Sequence, residues 1–315
     1  MATELPRPAR DRRRRFLVHP SYECYFPASE YPNYDAFLNS EGETVKSEPR
    51  TRIVIVRRRS SAKPKEAIRS FVLKVYHYPL LPRIRTGLRI SKAEQEFNSL
   101  QYLNQQGVSA AEAVAFGAKR TRLGFVRSCF VITDFVEGSV NLSTWRSKLT
   151  PPQPVRQNHF LLKELGTMFR RLHALRFFLF TTKTKNILIR GGSARPPEIF
   201  LIDVPYARTV SWRPIARWAQ GRDLGLLLGN FDPALTRSET TAFYDGYLPD
   251  PLGGPAATLR AYAEQAMRAK QNLTPISALI HGLKRNLRRK LVVWRVWALA
   301  HIMVIDIFDI FDVLA

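Results

Sequence analysis

The chain has 315 residues, of which 45% are hydrophobic and 24% charged, so it is long enough for two lobes with a sizeable core and is not a disordered composition. Its formal net charge of +23 predicts attraction to phosphate-rich partners such as nucleic acid, an anionic membrane or a polyanionic glycolipid. Cys24 and Cys129, the two cysteines, provide neither a disulfide framework nor metal-ligand spacing, which favours a reducing cytoplasm.

The first 35 residues are expected to form a basic amino-terminal arm. Six arginines fall within residues 7–15, interspersed with prolines. Such a run is typical of a solvated tail, or of an electrostatic tether in which each basic residue contributes about 1 kcal/mol near an anionic membrane. The apolar run that follows ends at His19-Pro20, which is too short for a signal peptide.

Residues 36–138 predict a small lobe rich in β-structure. Segments rich in β-branched and aromatic residues indicate strands, and apolar residues spaced by three and four, closed by Gly107, indicate a helix. The predicted elements are a strand over 51–57, a strand over 71–77, a helix over 90–106 and a strand over 129–136.

Residues 139–274 predict a second, mainly helical lobe. Residues 161–175 carry an amphipathic pattern, with Leu162, Leu165, Phe169 and Leu172 on the inward face. The other predicted helices lie near 222–230, 236–247 and 255–271.

Residues 275–315 form a basic and apolar carboxy-terminal segment with a helix expected over 275–312. Residues 291–305 are strongly apolar but are interrupted by Arg295 and His301, whereas a membrane span needs about 20 clean apolar residues. A core or amphipathic packing helix, an interfacial membrane helix and a true span all remain open for this segment.

Two residues of the small lobe predict part of a phosphoryl-transfer site. Lys74 lies in an apolar strand, from which its ammonium can reach the phosphates of a nucleotide, and a glutamate on the next helix would hold it there. Glu96 is preferred because it shares a helix face with Leu100 and Leu103. Glu94 is the alternative, since a shift of two residues rotates a helix by about 200°.

The second lobe carries the remaining candidates. Asn186 begins an apolar strand, and Asp203 ends another, so their side-chain oxygens are suited to Mg²⁺. Protein kinases place the catalytic aspartate five residues before that asparagine, and this chain has Thr181 at the position. The preceding residues 177–180 carry no polar side chain, and a threonine hydroxyl is a poor base at neutral pH.

These ordered motifs resemble the lipopolysaccharide kinase group, also called the InaA or Kdo-kinase-like family, on the protein-kinase-like fold. The matching segments lie within roughly residues 65–250 and are 71–76, 93–108, 172–173, 186–189, 201–208, 222–224 and 243–247. The resemblance implies an α+β, bilobal fold with a small β-rich N-lobe and a larger helical C-lobe.

The resemblance also implies roles for individual residues. Lys74 would contact ATP, Glu96 would pair with Lys74, and Asn186 and Asp203 would hold Mg²⁺. Asp223 would buttress the catalytic loop. The chain departs from the family at residues 179–181, where it has Leu-Phe-Thr and the family has a pattern like His-Gly-Asp or His-Arg-Asp. It also lacks a glycine-rich phosphate loop, because Gly42 is the one glycine in the stretch where that loop is expected.

Three functions follow from these observations. The first is transfer of phosphate from ATP to a hydroxyl of a lipopolysaccharide-type glycolipid, by a cytoplasmic protein peripheral to the inner face of the membrane and slowed by Thr181. The second is a pseudokinase that binds or regulates without turnover. The third is a basic scaffold for a membrane or for nucleic acid, although nucleic acid rests on charge alone because no RNP-type, zinc-finger or KH motif is present.

Overall fold

The first part of the chain is built around a six-stranded antiparallel sheet, with strands in the order β1-β5-β6-β4-β3-β2. The computed structural model describes residues 14–62, 68–79, 90–148, 154–191 and 196–253, together with residues 83, 86, 261 and 264. The strands are β1 (Arg14–Val18), β2 (Glu43–Glu48), β3 (Thr51–Arg58), β4 (Arg69–His77), β5 (Ala113–Arg120) and β6 (Val126–Asp134). Two helices accompany them, α1 (Tyr34–Leu38) and α2 (Lys92–Gln105).

The sheet is covered on both faces. Because side chains alternate along a strand, Phe71 and Leu73 of β4 point into an aromatic core shared with α1, whereas Lys74 points to the opposite face. On that opposite face α2 packs through Phe97 and Leu100 against β5 and β6. The arrangement places the single lysine of β4 beside the helix that carries the candidate glutamates.

The predicted arm of residues 1–35 is corrected by the structure, because its described part is folded onto the sheet. β1 pairs with β5 from Arg14↔Lys119 to Val18↔Ala115. The rings of Tyr22 and Phe26 then pack on Phe71, with centroids 6.0 and 5.1 Å apart. The arginine run suggests a solvated arm, but the aromatic residues after it bury enough apolar surface to fix the chain.

The second part is mainly helical. Its helices are α3 (Leu142–Ser147), α4 (Pro154–Ala174), α5 (Arg213–Leu228) and α6 (Arg237–Tyr247). Its strands are β7 (Ser139–Asn141), β8 (Phe177–Phe178), β9 (Ile187–Arg190), β10 (Glu198–Leu201) and β11 (Arg208–Thr209). They form a three-stranded sheet in the order β10-β9-β7 and a two-stranded sheet of β11 and β8.

The predicted α+β class, with a β-rich part followed by a helical part, is confirmed. β1, β2 and β5 were not predicted, and α5 begins nine residues before its predicted start at 222. The helices predicted near 255–271 and over 275–312, including the apolar stretch 291–305, lie outside the described residues apart from positions 261 and 264. Within the described part of the chain, no helix is long and apolar enough to span a membrane.

The contact between α4 and α6 depends on two glycines. A Cβ added at Gly166 would overlap the carbonyl oxygen of Phe243, and one added at Gly246 would overlap the carbonyl oxygen of Lys163. Each glycine therefore allows the backbone of the other helix to approach closely.

Gly166→Ala is expected to destabilise the protein. Alanine favours a helix by about 1 kcal/mol over glycine, but overpacking costs about 1–3 kcal/mol or more, and a backbone carbonyl cannot rotate away. Chemical denaturation should show a net loss of unfolding free energy, whereas Ser238→Ala on the exposed side of α6 should not. An unchanged or higher stability for Gly166→Ala would contradict this packing.

Candidate functional site

Lys74 lies at the centre of an ion cluster that joins the two parts of the chain. Its side chain is 12% exposed, and its Nζ is 3.6 Å from Oε1 of Glu96 and also contacts Oδ1 of Asp203. β4 is held between β3 and β6, with Lys74 opposite Ile53 and Val131, so the lysine projects from the middle of the sheet. Strand β4, helix α2 and the segment after β10 thus each supply one charged group.

The structure decides between the two glutamates on α2. Glu96 is buried and faces Lys74, whereas Glu94 forms an ion pair with Arg15 of β1 at 3.2 Å. The hydroxyl of Tyr76 donates a hydrogen bond of 2.9 Å to Oε2 of Glu96. Sequence reasoning missed this tyrosine, although its position two residues after Lys74 places it on the same face of the strand.

The electrostatics of the cluster follow from burial. Burial raises the pKa of Glu96, the nearby charge of Lys74 opposes that rise, and Asp203 adds to it. Burial together with the charge of Glu96 also raises the pKa of Tyr76 well above its ordinary range, so the phenol remains a donor. Two carboxylates share one ammonium, and this excess of negative charge favours a further cation.

The loop before Thr181 is held from below by Asp223. Its carboxylate, buried on α5, accepts hydrogen bonds from the backbone N–H of Leu179 at 2.6 Å and of Phe180 at 2.7 Å. Phe180 has a φ of 59°, a left-handed conformation that a bulky residue rarely adopts. The buttressing position expected of Asp223 is therefore observed.

His173 does not reach the cavity beside Thr181. It is fully buried, its Nδ1 shares a hydrogen bond of 2.6 Å with the hydroxyl of Tyr247, and its Nε2 is 3.6 Å from Asp223. Its ring stacks on Phe178 with centroids 5.2 Å apart. His173 therefore packs in the core of the helical part.

Thr181, Asn186 and Asp203 line one cavity, together with Lys183. Nδ2 of Asn186 donates to the backbone oxygen of Asp203 at 3.4 Å. Asp203 has a φ of 56°, and strained backbone of this kind concentrates at functional sites. Among the described residues that line the cavity, Asp203 is the one acid, so Thr181 has no carboxylate substitute there.

The turn between β2 and β3, the two strands that precede β4 and its Lys74, contains no glycine. β2 and β3 meet at Pro49-Arg50, and the carbonyl of Arg50 accepts a hydrogen bond of 2.9 Å from the N–H of His77. Gly42 precedes β2 and packs closely on β3, so it is not part of this turn. Backbone N–H groups of a glycine-rich loop, which cover the phosphates in protein kinases, have no equivalent here.

Glu96→Gln is expected to change the pH dependence of stability. Since the folded state raises the pKa of Glu96, its stabilising contribution is complete below pH of about 4.3, the ordinary glutamate value, and is lost as the pH rises toward the raised pKa. The variant should gain stability relative to wild type as the pH rises above about 4.3, measured as the difference in thermal unfolding temperature. Glu94→Gln is the control for loss of a carboxylate from α2, and a relative loss of stability by Glu96→Gln with rising pH would contradict the prediction.

Asp223→Asn is expected to loosen the loop before Thr181. An amide offers one oxygen to two backbone donors, so one buried N–H would face an NH₂ group, at a cost of about 1–3 kcal/mol. Denaturant unfolding should show this loss, whereas Asp245→Asn, which removes an exposed carboxylate from α6, should be near neutral. Equal stability of the two variants would show that Asp223 does not support the loop.

The chain is similar to known proteins in sequence and in structure. The Escherichia coli protein "Lipopolysaccharide core heptose(I) kinase WaaP" is 27% identical to this chain over 164 residues, which are 51% of the chain. The alignment spans 61% of that relative's length. A solved structure, "WaaP in complex with acyl carrier protein", is similar with a TM-score of 0.58 and 19% identity, covering 81% of this chain and 98% of that one.

The structural similarity shows the fold, which is the bilobal kinase-like fold expected from the motifs. The model of the lipopolysaccharide kinase (Kdo/WaaP) family matches residues 56–247, more than half of the chain. This segment contains Lys74, Glu96, Thr181, Asn186 and Asp203. The chain therefore belongs to the lipopolysaccharide kinase (Kdo/WaaP) family.

Proposed function

We propose that the protein binds ATP with Mg²⁺ at the Lys74 cluster and transfers phosphate slowly to a hydroxyl of a lipopolysaccharide-type glycolipid. The observation that carries the proposal is the position of Lys74 between Glu96 and Asp203. In kinases the lysine and glutamate must be paired and the metal-binding aspartate in place before phosphate moves. The contacts of Lys74 with Glu96 and with Asp203 support this assignment of roles.

The donor groups fit the proposed cofactors. Asn186 and Asp203 would hold Mg²⁺, because amide and carboxylate oxygens are the ligands that this hard cation takes, and Lys74 would bind ATP phosphates. When bound, Mg²⁺ neutralises negative charge on the phosphates.

Thr181 explains why the proposed activity is slow. A positioned general base contributes about 10²–10⁴-fold to rate, and a threonine hydroxyl can orient an acceptor without taking its proton. The transition state of phosphoryl transfer is loose, so positioning and charge supply most of the catalysis. Lys183, which lines the same cavity, would stabilise the transferring phosphate through its charge.

Thr181 also supports a second candidate, a pseudokinase that binds nucleotide without turnover. Asp223 holds the loop before Thr181, and Asp203 lines the same cavity as Thr181, which offers no carboxylate at the position of the base. Nucleotide binding is common to both candidates, so the two differ in phosphate transfer alone.

Phosphate transfer from ATP to purified lipopolysaccharide core glycolipid separates the candidates. Wild type should transfer slowly, Thr181→Asp should raise the rate by about 100-fold by restoring a base, and Thr181→Asn, similar in shape but not basic, should not. A Thr181→Asp variant that binds ATP and transfers no phosphate would contradict the kinase and leave the pseudokinase.

A further inference from the structure

The amino-terminal half of α5 exposes a row of large apolar side chains. Trp212 is 66% exposed, Ile215 42% and Trp218 39%. Because residues three apart lie on the same side of a helix, the three form one apolar surface, called here the Trp212–Trp218 face. The inward side of this helix is instead occupied by Ala216 and Ala219, which are fully buried.

The fold does not account for this face. Trp212 is the N-cap residue of α5, and its side chain makes no capping hydrogen bond to the helix. Ser, Thr, Asp or Asn at this position would stabilise the helix. Its indole is also too exposed to contribute to a core. Exposed apolar patches that serve neither capping nor packing are typical of binding surfaces.

The charges around the face point to an anionic partner. Residues 204–222 contain four arginines and no aspartate or glutamate, and Arg217 among them is paired with Asp250. Arg208 and Arg213 are exposed, and the guanidinium of Arg222 lies 5.6 Å from the centroid of the Trp218 ring. Tryptophan and arginine side by side are the chemistry of a membrane interface, where rings enter the headgroup region and cations meet phosphate.

The face adjoins the site. The rings of Trp218 and Phe180 have centroids 6.3 Å apart, and the guanidinium of Arg208 lies 4.8 Å from the Phe180 ring. Phe180 directly precedes Thr181. The Trp212–Trp218 face is therefore close to Thr181, which lines the cavity.

We propose that the Trp212–Trp218 face docks on an anionic phospholipid surface and presents the Thr181 cavity to a glycolipid held in that surface. The part of this proposal that concerns the glycolipid rests on the proposed function. Docking of the face on the phospholipid surface requires neither a nucleotide nor an acceptor. Apolar insertion supplies the binding, and Arg208 and Arg213 select negatively charged lipid.

Co-sedimentation of the full chain with vesicles tests the proposal. Vesicles of phosphatidylglycerol mixed with phosphatidylcholine are compared with vesicles of phosphatidylcholine alone, at low and high salt. The double variant Trp212→Ser/Ile215→Ser should lose about tenfold in partitioning to the anionic vesicles, because two inserted side chains are removed. The matched control Ile68→Ser/Leu123→Ser removes side chains that are 52% and 79% exposed on the first part of the chain and should bind as wild type does.

Several outcomes would overturn the docking surface. The proposal is contradicted if wild type does not bind anionic vesicles or binds neutral vesicles equally well. It is also contradicted if both double variants bind as wild type does, or if both lose binding equally. If Trp212→Ser/Ile215→Ser instead abolished a dimer in sedimentation velocity and left vesicle binding intact, the face would be a contact between copies of the chain. ATP binding should be unchanged in this variant, so failure of the docking and failure of the nucleotide site are distinguishable.

Discussion

The ion cluster of Lys74, Glu96 and Asp203 is the interaction on which the rest of the structure depends. Burial of Glu96 is costly by itself and is offset by Lys74 and by the hydroxyl of Tyr76. The three charged groups come from β4, α2 and the segment after β10, so the cluster forms when the sheet and the helical part are correctly placed. The contacts that hold the two parts together are also those of the proposed nucleotide site.

In the helical part, contacts from neighbouring elements fix the loop that precedes Thr181. Asp223 holds the backbone of Leu179 and Phe180, and both Phe180 and Asp203 keep left-handed conformations that cost free energy. Strain of this kind persists when surrounding contacts enforce it. Thr181 therefore follows a loop whose backbone is held in place by Asp223.

Much of the site could be predicted from sequence because its signals are local. Helical spacing favours Glu96 over Glu94 as the partner of Lys74, and in the structure Glu96 lies 3.6 Å from Lys74 whereas Glu94 pairs with Arg15. β5 escaped prediction because its small residues, including Gly117, have low strand propensity, although Gly117 is needed where the Phe130 ring presses on the strand. The folding of residues 14–38 depends on contacts with Phe71, distant in sequence, which no local pattern reveals.

The most direct test of the account is the thermal stability of the purified protein with Mg²⁺ and ATP against Mg²⁺ alone. A ligand that binds only the folded state stabilises it by mass action, so the account predicts a rise in unfolding temperature with ATP. The rise should disappear in Lys74→Ala and in Asp203→Ala, which remove the phosphate and metal contacts. No rise at millimolar ATP, or an equal rise in both variants, would contradict a nucleotide site at this cluster.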